Sequence, residues 1–241
     1  MRRIILPIIL ASAFCGFAPR AAAQEHSDRH APAKLAIDRN NAGVMFMQKD
    51  LFKEAAVAFR EALTADPSFN LARINLGIAL FYGQDLDGAL QILSEAASGE
   101  PRNPYIIFTS ALACKNKGER EKAIERFTRV TELDSKCSAS YYNLGILYAR
   151  QGREKEAETA LRRVLELDPA HTGALYNLGG LLMKTGREEE GKRVLEKFRQ
   201  HQESSVPKSG MGSGTGYGEM GKYAIAQEFR GQATQPPNSK E

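Results

Sequence analysis

One pattern of 34 residues returns five times along this chain without insertion or deletion. Pro67, Pro101, Ser135 and Pro169 stand 34 residues apart, and each closes one copy. A fixed period of this length constrains the fold more than any single motif does. One copy is too short to bury its own apolar face, so neighbouring copies must stack and share a continuous core. The copies run over 36–69, 70–103, 104–137, 138–171 and 172–203. Such stacks present surfaces and seldom perform chemistry.

Inside each copy, side-chain size follows a rule. Position 8 reads Gly43, Gly77, Ala111, Gly145 and Gly179, and position 20 reads Ala55, Ala89, Ala123, Ala157 and Gly191. Position 24 is large and apolar throughout: Phe59, Leu93, Phe127, Leu161 and Leu195. Apolar recurrence at three and four residues predicts helix rather than strand. The small residues let two helices approach, and the large ones fill the space between them. Gly118, Gly152 and Gly186 fall where a left-handed residue would end the first helix of a copy. Asp66-Pro67 and Asp168-Pro169 end the second, because proline disfavours helical backbone in the residue before it.

The run Tyr141-Tyr142-Asn143-Leu144-Gly145-Ile146-Leu147-Tyr148, followed by Gly152, Ala157 and Leu165-Glu166-Leu167-Asp168-Pro169, resembles a tetratricopeptide repeat. The fifth copy repeats it as Ala174-Leu175-Tyr176-Asn177-Leu178-Gly179. The resemblance covers about residues 36–203. Departures are Arg39 and Arg73 where an aromatic residue is usual, Ser135 for the closing proline, and Gly191 for alanine. The resemblance implies an all-α, right-handed superhelical solenoid of five helix-turn-helix repeats. Its first helices would line a concave groove and its second helices would form the outer face.

On that pattern, position 6 of the groove reads Asn41, Asn75, Thr109, Asn143 and Asn177. A carboxamide donates and accepts at once. The resemblance implies that a ladder of such amides holds the backbone of an extended peptide; the alternative is that they tie adjacent helices together. Positions 5 and 9 add Ile74, Ile78, Phe108, Leu112, Tyr142, Ile146 and Tyr176. Turned to solvent, these side chains form an apolar stripe of the kind that marks a partner site; turned inward, they are core between repeats. A carboxylate clamp of the kind that binds chaperone tails is excluded, since its positions hold Asn40, Val44, Phe108 and Leu112.

Residues 1–23 have the layout of a secretory signal: Arg2 and Arg3, an apolar run from Ile4 to Phe17, then Ala21-Ala22-Ala23 before an expected cut after Ala23. The apolar run is short of the ~20 residues that span a bilayer, so no integral membrane segment is expected after cleavage. Residues 24–35 form a polar leader. Loss of the signal removes three arginines and takes Lys plus Arg from 33 to 30 against 29 acids, leaving a net charge of +1. That balance argues against nucleic acid as a partner. Cys114 and Cys137 would lie roughly 15 Å apart, near opposite ends of neighbouring parallel helices, beyond disulfide reach. His26 and His30 lack companion ligands, so no metal and no cofactor are expected.

Residues 204–241 change character. Ser204 to Gly221 has the composition of a flexible linker. Gly216 to Tyr223 nearly spells a phosphate-binding loop, but Tyr223 stands where a Ser or Thr hydroxyl is needed and no apolar strand precedes it. A short amphipathic piece, 222–230, carries Tyr223, Ile225 and Phe229. The expectation is a loose tail, then a cap on the last repeat; a fold back into the chain's own groove and docking on a partner are the other readings. An uncapped last repeat also allows a weak homodimer. The sequence therefore reads as a non-catalytic, periplasmic or secreted scaffold or adaptor that binds a protein or peptide within an envelope or secretion-related assembly. The alternative is an accessory subunit that recruits substrate to an exported enzyme.

Overall fold

The computed structural model describes residues 20–204 and 226–227, with side chains at 33–202 and 226–227. Among the described residues ten helices follow one another and no strand occurs. They are α1 (Arg20–Met47), α2 (Phe52–Ala65), α3 (Asn70–Tyr82), α4 (Leu86–Ala97), α5 (Pro104–Asn116), α6 (Arg120–Leu133), α7 (Ser138–Arg150), α8 (Glu154–Leu167), α9 (Thr172–Lys184) and α10 (Glu188–Ser204). Each helix packs on the next. The first helices of the repeats also touch one another, α1 on α3, α3 on α5, and α7 on α9. This is an all-α superhelical stack of five helical hairpins.

The hairpin turn is set by one backbone position. Gly118, Gly152 and Gly186 have φ of +82°, +72° and +80°. The same position holds Asp50 (φ +58°) and Gln84 (φ +65°) in the first two repeats. The left-handed turn is therefore required at 34-residue spacing whether or not glycine is there to adopt it without strain. The other end of the hairpin uses aspartate. Asp66, Asp134 and Asp168 leave the helix with extended backbone. Each carboxylate then accepts the N–H two residues on, at 2.9 Å from Ser68, 3.1 Å from Lys136 and 3.1 Å from Ala170. This side-chain turn explains why Ser135 can replace the closing proline, since Asp134 shapes the chain there by itself.

Within a hairpin, position 8 faces position 24. A Cβ placed on Gly77 would stand 2.6 Å from Leu93, and one on Gly145 would stand 2.8 Å from Leu161. Repeat three allows alanine at this place, and Phe127 beside it meets Phe108 edge-on at 5.5 Å between ring centres. Phe59, Leu93, Phe127 and Leu161 are fully buried; burial of each stabilises the fold by about 1.5–3 kcal/mol.

The outer face is tied by ion pairs. Arg187 meets Glu158 with 2.8 and 2.9 Å contacts, and Arg162 reaches Glu158 at 2.8 Å and Glu190 at 2.6 Å. Glu158 and Arg187 thus belong to a network that joins α8 to α10. Cys114 and Cys137 are free thiols and both are buried.

Helix α1 begins at Arg20. Of the apolar stripe, Tyr176 is 59% exposed, whereas Ile74, Ile78, Phe108 and Leu112 are each 1% exposed or less, as the inward alternative has it. These four join the main buried cluster because the first helices of adjacent repeats press their position-5 and position-9 side chains together.

Candidate functional site

Position 6 turns inward on the first helices, and in repeat two it carries the residue that defines the site. Asn75 is wholly buried, yet it does not serve its own helix. Its Nδ2 donates to the backbone oxygen of Gln227 at 2.8 Å, and its Oδ1 accepts the backbone N–H of Gln227 at 2.8 Å. One carboxamide thus holds both polar groups of a residue 152 positions away. Asn40 of repeat one adds a weaker bond from Nδ2 to the same oxygen at 3.3 Å. Asn75 Nδ2 also donates to Asn40 Oδ1 at 2.8 Å, which fixes its plane. Ala226, next to the clamped residue, is 5% exposed and belongs to the same buried cluster as Ile74, Ile78, Phe108 and Leu112. The inner wall of the repeats therefore holds a distant piece of the chain, the backbone of Gln227 bound by amides and the small side chain of Ala226 set among apolar groups.

The other rungs of the ladder behave differently. Asn143 donates to the Ala139 carbonyl of its own helix at 2.8 Å and accepts from Lys115 Nζ at 2.7 Å. Asn177 donates to the Gly173 carbonyl at 2.7 Å and lies 3.4 Å from the Tyr142 hydroxyl. Asn41 is half-buried and accepts from Asn40 Nδ2 at 3.2 Å. Among the expected rungs, then, Asn75 meets a peptide backbone, while Asn143 and Asn177 hold their own helices and neighbours. Asn40 was not placed in the ladder by sequence, because it occupies position 5, which is apolar in every later repeat. A polar residue at an otherwise apolar position was the available signal.

Toward the last repeats the wall opens into a recess of about 530 Å³, lined by Lys115, Tyr142, Asn143, Ile146, Ala149, Arg150 and Asn177. Tyr142 and Ile146, both half-buried, line it, and Tyr176 stands nearby at 59% exposure with its ring 5.5 Å from Phe198. The recess holds two cations, and among the described residues no carboxylate lines it. Burial pushes the Lys115 ammonium below the usual lysine range, and the Arg150 charge adds to that. The expected groove residues thus divide into a buried set beside Ala226 and Gln227 (Ile74, Asn75, Ile78, Phe108, Leu112) and a second set that lines the recess (Tyr142, Asn143, Ile146, Asn177), of which Asn143 is itself buried.

Among the described residues no group of three or more His, Cys, Asp or Glu side chains is arranged to hold a metal ion. Nor is any described helix long and apolar enough to cross a membrane. Most of the expected tail, including the near phosphate-binding loop at 216–223, lies outside the described residues.

A tetratricopeptide repeat family profile matches residues 42–104 and 110–172, and a second profile of that description matches 148–204. Solved structures share the fold. The crystal structure of MamA aligns with a TM-score of 0.63 at 21% identity, over 68% of this chain and 96% of that one. MamA from Desulfovibrio magneticus aligns at 0.66 and 16% identity, over 73% and 98%. YrrB, described as a TPR protein with an unusual peptide-binding site, aligns at 0.59 and 20% identity, over 78% and 93%.

Proposed function

The chain belongs to the tetratricopeptide repeat family, and from that membership we propose that it is an adaptor that grips an extended segment of a partner protein along its first helices. The observation that carries this reading is the Asn75 carboxamide closed on the N–H and C=O of Gln227. Contacts of this type recognise a chain by its backbone and leave side-chain pockets to set preference. Each bond contributes about 0.5–1.5 kcal/mol net, so apolar burial beside Asn75 must supply the remaining affinity. The peptide-binding description of YrrB supports the same use of the fold. Nothing in the site resembles a nucleophile with a base, so the role proposed is binding without catalysis.

Export belongs to the same proposal. It rests on the basic start, short apolar run and small residues of 1–23, and it places the adaptor in the periplasm or outside the cell, in an envelope or secretion-related assembly. Fractionation with N-terminal sequencing of the mature chain tests it: a start at Gln24 in the soluble exported fraction is expected, and a retained Met1 would reject it.

Peptide display against the full chain tests the binding role. Selected peptides should lose binding to the Asn75→Ala chain and keep most of it with Asn143→Ala. Peptides that bind both variants as well as wild type would remove the Asn75 clamp from the function.

A further inference from the structure

Gln227 is not a partner's residue. It belongs to this chain, and it sits where the adaptor reading places a ligand. We propose that the segment around Ala226 and Gln227 is a built-in occupant of the groove, which a partner must displace to bind. The proposal rests on the adaptor reading above and adds its regulation and its ligand preference.

Three observations converge. The first is the pair of 2.8 Å bonds from Asn75 to both backbone groups of Gln227, reinforced by Asn40. The second is Ala226, buried to 5% exposure within the cluster that includes Ile74, Ile78, Phe108 and Leu112. The third is reach. Helix α10 ends at Ser204, which leaves residues 205–225 to cross from the last repeat to the second. A chain of that length spans up to about 70 Å. Three steps between first helices, from α9 to α3, amount to roughly 30 Å at ordinary helix spacing. The tail therefore reaches its own groove without help from a second copy. Attachment through a linker of this length also holds it there at high effective concentration.

The occupant describes what can replace it. Ala226 leaves room for a small apolar side chain. The next residue must offer an N–H, because Asn75 Oδ1 accepts one from Gln227. The displacing partner is thus a protein with an extended stretch that carries a small apolar residue followed by any residue except proline.

The test uses full-length chains and one probe, a labelled synthetic peptide of residues 220–232. If the groove is open less than a tenth of the time, the probe should bind wild type at least tenfold more weakly than it binds an opened chain. Ala226→Arg and Gln227→Pro open it without altering the repeats: the first forces a long cation into an alanine-sized place, and the second removes the N–H that Asn75 accepts. Binding to the Ala226→Arg chain should then disappear when Asn75→Ala is added. Amide exchange at Gln227 gives an independent reading, slow in wild type and fast in Asn75→Ala. Equal probe affinity for wild type and Ala226→Arg overturns the built-in occupant; loss of that binding on Asn75→Ala would still leave the adaptor reading intact. No probe binding to any chain also overturns it. A wild-type dimer that Ala226→Arg dissolves would place the segment on a second copy and overturn the single-chain arrangement.

Discussion

Asn40 and Asn75, from successive repeats, are joined by a 2.8 Å hydrogen bond from the amide of one to the amide oxygen of the other. Asn40 is therefore a positioning residue: it orients the Asn75 carboxamide before any chain arrives. Asn40→Ala should weaken the hold on Gln227 while leaving Asn75 in place. It removes a buried acceptor from Asn75 Nδ2, at a cost of about 1–3 kcal/mol. Thermal unfolding should register that loss, and exchange at the Gln227 amide should accelerate. Unchanged exchange would show that Asn75 is held by its own helix alone.

Gly77→Ala should destabilise the chain by about 1–3 kcal/mol, because the added methyl would meet Leu93 at 2.6 Å. Combining it with Leu93→Ala should cost less than the two single changes added together, since the smaller side chain makes room. Urea unfolding of the four chains in the cycle measures this. Simple additivity would mean that α3 shifts away from α4 at little cost.

The left-handed turn position predicts a gain. Gln84→Gly should raise stability by about 0.5–1 kcal/mol, because φ of +65° strains a residue with a Cβ. Part of the relief is offset by the greater freedom of glycine in the unfolded chain. Asp50→Gly, at φ +58°, should behave alike. The reverse change, Gly118→Ala at φ +82°, should lower the melting temperature. Melting curves of the three variants beside wild type decide the matter.

Lys115 predicts a pH dependence. Its ammonium is disfavoured first by burial and then by Arg150, so its proton is released at lower pH in the folded chain than in the unfolded one. Between the lowered value and the ordinary lysine range the unfolded state binds more protons, and stability rises with pH. The contribution is full above the ordinary lysine value and is lost as pH falls through the lowered one. Relative to Lys115→Met, wild type should gain stability across the alkaline range. Parallel curves for the two chains would show that the recess leaves Lys115 fully hydrated.

Much of this architecture can be read without coordinates. The 34-residue spacing, the small residues at Gly77 and Gly145, and the Gly118, Gly152 and Gly186 turns all report local geometry that repeats. Local geometry leaves periodic marks because each repeat solves the same packing problem. The groove was less legible. Position 6 predicts an inward amide in four repeats, yet the four amides do different work. Asn75 meets the tail, Asn143 meets Lys115, Asn177 turns to the Gly173 carbonyl, and Asn41 accepts from Asn40. Their partners come from neighbouring repeats, or from far along the chain, and no period encodes them.

The sequence by itself determined the helical hairpins, their number and their stacking, because burial of a 34-residue amphipathic unit admits few alternatives. Only the tertiary structure decided which of the inward residues meet water, which meet each other and which meet Gln227. That choice rests on contacts between residues up to 152 positions apart. Such contacts depend on where the stack places a distant segment, which the local pattern of apolar and polar residues does not record.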